Sequence, residues 1–84
     1  MRLADIDLRL LDVFIAVVEC QGIANAQTLL NRDASTISRQ LRQLEERLGL
    51  RLCERGRSGF TLTSDGGQVY RHTLELSRAL RHFE

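Results

Sequence analysis

Apolar residues recur along this chain at two different periods, and the change of period separates helices from a hairpin. Leu8, Leu11, Phe14 or Ile15, and Val18 fall on one helical stripe, which Leu10 and Val17 widen. Asp7 precedes the stripe as an N-cap, so the spacing predicts a first helix from Leu8 to about Cys20, at the centre of the core. Gln21-Gly22 closes it, because glycine takes φ > 0 without steric cost. Ile23 to Leu30 reads as a short second helix, with Ala26, Leu29 and Leu30 as its inward candidates. A polar turn, Asn31-Arg32-Asp33, leads into the third. There Ile37, Leu41, Leu44 and Leu48 return at i, i+4, i+7 and i+11, with Asp33 placed to cap the helix and Gly49 to end it.

Beyond Gly49 the period shortens. Leu50-Arg51-Leu52-Cys53-Glu54-Arg55 alternates until Cys53, and Phe60-Thr61-Leu62-Thr63 alternates again, with Gly56-Arg57-Ser58-Gly59 between them. Two alternating runs around a Gly/Ser-rich loop predict a β-hairpin. Thr63-Ser64-Asp65 then opens a last helix with capping residues. Along it Val69, Thr73, Leu76, Leu80 and Phe83 recur in alternating steps of four and three, a heptad a/d seam flanked by Tyr70 and Leu74. Such a seam packs either on its own domain or on a second copy. The expected fold is mainly α: a winged helix-turn-helix of three helices and a short hairpin over residues 1–63, then a long C-terminal helix over residues 64–84 available for dimerisation.

Composition sharpens this picture only where it is uneven. Eighty-four residues, 43% of them hydrophobic, build one small core that a partner surface would help. The net charge of +1 does not by itself point to nucleic acid. Between Arg32 and Arg57, however, seven arginines face four carboxylates. Every basic side chain is arginine, the residue suited to bidentate contact with phosphate and guanine, although GC-rich coding accounts for the bias equally well. Cys20 and Cys53 fit no metal or redox spacing; buried free thiols in a reducing cytoplasm are expected. The apolar run Val13–Val18 is far too short for a membrane span. Asp5, Asp7 and Asp12 precede it where a signal peptide needs positive charge.

The chemistry concentrates on the outer face of the third helix. Its N-terminal half presents Ser35, Ser38, Arg39 and Arg42, and the carboxylates Glu45 and Glu46 come only later. An α-helix fits the major groove of B-DNA, where arginine binds guanine O6 and N7 together. Hydroxyls and a helix N-terminus suit phosphates. Arg55 and Arg57, at the tip of the hairpin, are placed for the backbone or the minor groove, or are simply solvated. Arg39 also has bland partners in Asp33 and Glu46, and Arg42 has an i,i+4 partner in Glu46.

Taken together, the order of motifs resembles the N-terminal DNA-binding domain of bacterial LysR-type transcriptional regulators, over essentially the whole chain. Leu11-Asp12-Val13-Phe14 with Val17 is similar to the family's "L..F..V" opening, and Ala26 with Leu30 to its "AA..L" second helix. Ser38-Arg39-Gln40-Leu41, Leu44-Glu45 and Leu48-Gly49 match "SRQI..LE..LG". Arg51-Leu52-Cys53-Glu54-Arg55 matches "RLFER", and Leu62-Thr63-Ser64-Asp65-Gly66 matches "LT.AG". The resemblance implies binding to double-stranded promoter DNA. Ala34, Ser35, Ser38 and Arg39 would approach base edges or neighbouring phosphates, Thr36 and Arg42 the backbone, and Arg55 and Arg57 would serve the wing. It further implies a homodimer through Val69, Thr73, Leu76, Leu80 and Phe83, and a small-molecule effector sensed only by a C-terminal domain that this chain lacks.

Departures from the family pattern are local. Gln21-Gly22-Ile23-Ala24 replaces "GSFT" and removes the hydroxyl cap of the second helix. Gln27 replaces the second alanine, Arg32 an apolar residue, Ser35 a frequent proline and Cys53 a phenylalanine. Enzymatic function fails on inventory: His72 and His82 stand ten residues apart without partners, and no nucleophile–base pair, cofactor-binding motif or metal-ligand cluster is visible. The remaining alternative is a small helical dimerisation module whose arginine face meets an acidic protein.

Overall fold

The computed structural model describes residues 7–56 and 59–83, without the side chains of residues 55 and 56. It divides into two compact units, Met1–Gly49 and Leu50–Glu84. The first holds three helices: α1 (Leu8–Glu19), α2 (Ile23–Leu30) and α3 (Ala34–Leu48). The second holds the strands β1 (Cys53–Gly56) and β2 (Gly59–Leu62) and the helix α4 (Ser64–Arg81).

In the first unit each helix packs on the other two. Asp7 starts α1 as expected, its carboxylate accepting from the Arg9 N–H at 3.0 Å. Its buried stripe is Leu10, Val13, Phe14 and Val17, with Leu11 and Ala16 beside it. The stripe predicted from Leu8 was therefore set too far around the helix. Leu8 is 49% exposed, and Phe14 rather than Ile15 takes the fully buried position. The displacement follows from α1 touching both α2 and α3, so that its apolar arc is wide and its centre is not fixed by spacing alone.

Gly22 turns the chain at φ 141°, a conformation open only to glycine, and α2 begins without a side-chain cap. Asn25 stabilises the entry instead, its Nδ2 donating to the Cys20 carbonyl at 2.9 Å. Ala26 is fully buried, where a small side chain lets helices approach closely. Leu29, expected to face inward, is 65% exposed. Eight residues give α2 barely two turns, and Ala26 and the half-buried Ile23 and Leu30 already fill its inner face. Asn31 ends α2 in the left-handed conformation, at φ 53°. Ile37, Leu41 and Leu44 of α3 are buried and Leu48 is half-buried, the stripe the spacing predicted. Gly49 follows at φ 68°, its N–H donating to the Glu45 carbonyl. Arg47 reaches Asp7 at 3.8 Å, linking the end of α3 to the start of α1.

In the second unit, β1 and β2 form an antiparallel hairpin pairing Cys53 with Leu62, Glu54 with Thr61, Arg55 with Phe60 and Gly56 with Gly59. The strands sit later than the alternation suggested. Leu50, Arg51 and Leu52 lie outside β1, whereas Gly56 and Gly59, expected in the loop, are a paired rung. The cause is Thr63. Its N–H donates to the Leu52 carbonyl at 3.0 Å and its hydroxyl to the Arg51 carbonyl, and α4 begins at the next residue, so the second strand gives way to helix before it can pair along Leu50 and Arg51.

Thr63 also caps α4, its Oγ1 accepting from the Gly66 N–H at 2.9 Å. Gly66 sits against the Leu52 backbone so closely that an added Cβ would lie 1.9 Å from the Leu52 oxygen. Along the seam Thr73 is buried, its hydroxyl donating to the Val69 carbonyl at 2.7 Å. Val69 and Leu76 are half-buried, and Leu80 and Phe83 are exposed, Phe83 lying in a turn past the end of the helix. Of the two thiols, both free, Cys53 is buried but Cys20 is only half-buried at the exposed end of α1.

Candidate nucleic-acid interface

α3 exposes the side that the pattern singled out. At about 100° per residue, Ser35, Arg39 and Arg42 turn away from the Ile37/Leu41/Leu44 stripe. Ala34, Ser35, Arg39 and Arg42 are exposed; Thr36 and Ser38, on the flanks, are half-buried. Arg42 and Glu46 form no ion pair among the described residues. Arg39 acts on Asp33 only through space, helping to hold that carboxyl low. Both guanidinium groups are therefore presented to solvent rather than used up within the helix.

The first turn of α3 is fixed from two directions. Asp33 accepts from the Thr36 N–H at 2.8 Å. Bonds from the Thr36 hydroxyl and N–H hold the Asp33 carboxyl below the usual carboxylate range. Gln27, from α2, accepts from the Ala34 N–H at 3.1 Å through Oε1 and donates to the Ala24 carbonyl at 3.2 Å through Nε2. Two of the helix's orphan amides are thus satisfied by the preceding turn and helix. Arg32 ties that turn to α3 through Nη1 and the Gln40 Oε1, at 3.3 Å. Sequence order does not reveal these roles of Gln27 and Arg32, because nothing local pairs residue 27 with 34 or 32 with 40.

At the start of α1, desolvation opposes ionisation of Asp7. The Arg9 N–H and guanidinium and the Leu10 N–H outweigh it and lower its pKa. Of the wing residues, Arg55 has its backbone in β1 opposite Phe60. Its side chain and the whole of Arg57 lie outside the described residues. Among the described residues no group of three or more His, Cys, Asp and Glu side chains is placed to hold a metal ion, and no helix is long and apolar enough to cross a membrane.

Comparison with known proteins agrees with this geometry. Residues 8–67 match the family described as "Bacterial regulatory helix-turn-helix protein, lysR family". The transcriptional activator BauR of Pseudomonas aeruginosa is 46% identical over 82 residues, 98% of this chain and 27% of BauR. The regulator BenM of Acinetobacter baylyi is 39% identical over 70 residues, 83% of this chain and 23% of BenM. The chain thus spans about a quarter of the length of these curated relatives. Among solved structures, the BenM DNA-binding domain in complex with catB site 1 DNA superposes with a TM-score of 0.86 at 35% identity, covering 93% of this chain and 84% of that one. The CbnR DNA-binding domain in complex with DNA does so with a TM-score of 0.85 at 31% identity, covering 92% of this chain and 88% of that one. The fold is accordingly that of the winged helix-turn-helix, and the chain belongs to the lysR family of bacterial regulatory helix-turn-helix proteins.

Proposed function

We infer that this chain is the DNA-binding portion of a cytoplasmic LysR-type transcriptional regulator, and that α3 lies in the major groove of promoter DNA. The observation that carries the reading is the outer face of α3, where Ser35, Arg39 and Arg42 are exposed on a helix whose start is fixed by Gln27 and Asp33. A rigid helix end is what base reading needs, because a bidentate contact tolerates little positional error. Arg39 and Ser35 address base edges, with Ala34 and Ser38 beside them, while Thr36 and Arg42 contact phosphates. Arg55 and Arg57 supply the wing contact to the backbone or minor groove. Relatives of this sequence are named as transcriptional regulators, and two neighbours in fold were solved on DNA, which supports the same reading.

The seam of α4, Val69, Thr73, Leu76, Leu80 and Phe83, pairs two copies, so that two reading helices meet successive major grooves about 34–36 Å apart or a multiple of it. Response to a small-molecule effector belongs to the part of the regulator that this chain does not contain. Selection of bound sequences from a random duplex pool tests the assignment: a recovered motif with two-fold symmetry is expected. On that motif Arg39→Ala weakens binding by about 1–3 kcal/mol and relaxes base choice at one position. Equal losses on the selected and on random duplex remove Arg39 from base reading. Binding that does not fall steeply between low and moderate salt removes DNA as the partner.

A further inference from the structure

Arg32 stands in the turn before α3, is exposed, and is held by a neutral acceptor, the Gln40 Oε1 at 3.3 Å. A carboxylate partner would have cancelled its charge; an amide oxygen orients the guanidinium and leaves the charge in place. Gln40 lies on one flank of α3, on the side of Thr36 and Gln43. Arg42 lies on the other flank, on the side of Ser38. A helix lying in a major groove about 12 Å wide has a phosphate strand along each rim, so its two flanks face different strands. Among the arginines of α3, Arg42 lies on one of those flanks; Arg47 lies on the other, but at the far end of the helix, where it reaches Asp7 at 3.8 Å.

We propose that Arg32 is a further phosphate contact, oriented by Gln40, that grips the strand opposite the one Arg42 meets. This rests on α3 lying in the major groove. It differs from the base-reading assignment in having no sequence preference. Four of the five guanidinium N–H donors remain for a phosphate after the bond to Gln40. Gln40 is a positioning residue: it acts through Arg32 by limiting where the guanidinium can go.

The test is the salt dependence of binding by the 84-residue chain to the duplex selected above. For wild type, log Kd plotted against log salt gives a steep slope; a flat wild-type slope overturns the DNA reading itself, independently of Arg32. Arg32→Gln is expected to reduce the slope by about 0.9, the share of one phosphate, and to weaken selected and random duplexes by the same factor. Arg32→Lys keeps the charge and restores most of the slope. Gln40→Ala keeps the slope, because the charge is still there, but lowers affinity at fixed salt. Thermal unfolding separates contact from scaffold: both Arg32 variants are expected to melt within a few degrees of wild type. A wild-type slope in Arg32→Gln, or a loss in Arg32→Lys as large as in Arg32→Gln and matched by a lowered Tm, overturns the proposal.

Discussion

Gly66 shows how much a single residue can carry. Its N–H meets the Thr63 Oγ1, and the place of a Cβ is already taken by the Leu52 carbonyl. Because that neighbour is backbone, it cannot rotate away. Gly66→Ala is expected to destabilise the chain by about 3 kcal/mol, read as a shifted denaturation midpoint, whereas Gly67→Ala, with open space around it, costs little. Two hydrophobic residues give the converse pair. Phe14 is fully buried and Leu29 is 65% exposed. Phe14→Ala should cost about 3–5 kcal/mol, and Leu29→Gln should fall within about 0.5 kcal/mol of wild type. Equal effects in chemical denaturation would mean that Leu29 is covered in solution. From sequence the two look alike, since both sit at apolar positions of amphipathic helices. What separates them is how many neighbouring elements each helix face meets.

At the scale of elements, α1 and α3 both start on an aspartate whose pKa is lowered by the bonds it accepts. A carboxyl with a folded pKa below its unfolded value adds stability above the unfolded pKa, near 3.9. That contribution fades as pH falls below this value and through the folded pKa. Asparagine caps about as well but does not titrate. The Asp7→Asn/Asp33→Asn double variant should therefore match wild type near pH 7 and lose less stability between pH 5 and pH 3. Parallel losses in thermal melts across that range would contradict the capping role. The start of α3 has a second fastening in Gln27, which bonds Ala34 across the turn. The aspartate caps could be read from the order of residues, since a cap lies next to the helix it serves. Gln27 could not, because its partner is seven positions away and is brought near only by the crossing of α2 and α3. The strand boundaries moved for a similar reason: Leu50 and Leu52 alternate like strand residues, yet Thr63 engages the backbone of Arg51 and Leu52.

At the scale of the molecule, pairing of two copies should depend on the exposed end of the α4 seam. Leu80 is 42% exposed, so Leu80→Glu should leave the fold intact while driving a dimer toward monomer in sedimentation equilibrium. A dimer that persists unchanged would take Leu80 out of the pairing surface. Much of the architecture is set by local order: the helices, their aspartate caps, the glycine turn at 22, the hairpin, and the arginine-and-serine side of α3 all follow from period and from neighbouring residues. These are decided within one or two turns of chain, where sequence distance and spatial distance nearly coincide. Packing of the folded chain decided the rest. It placed the centre of the α1 stripe at Leu10, Val13, Phe14 and Val17, left Leu29 outside, set the Leu52 carbonyl against Gly66, and joined Gln27 to Ala34 and Arg32 to Gln40. In each case the partner comes from another element, and only the folded chain brings the two together.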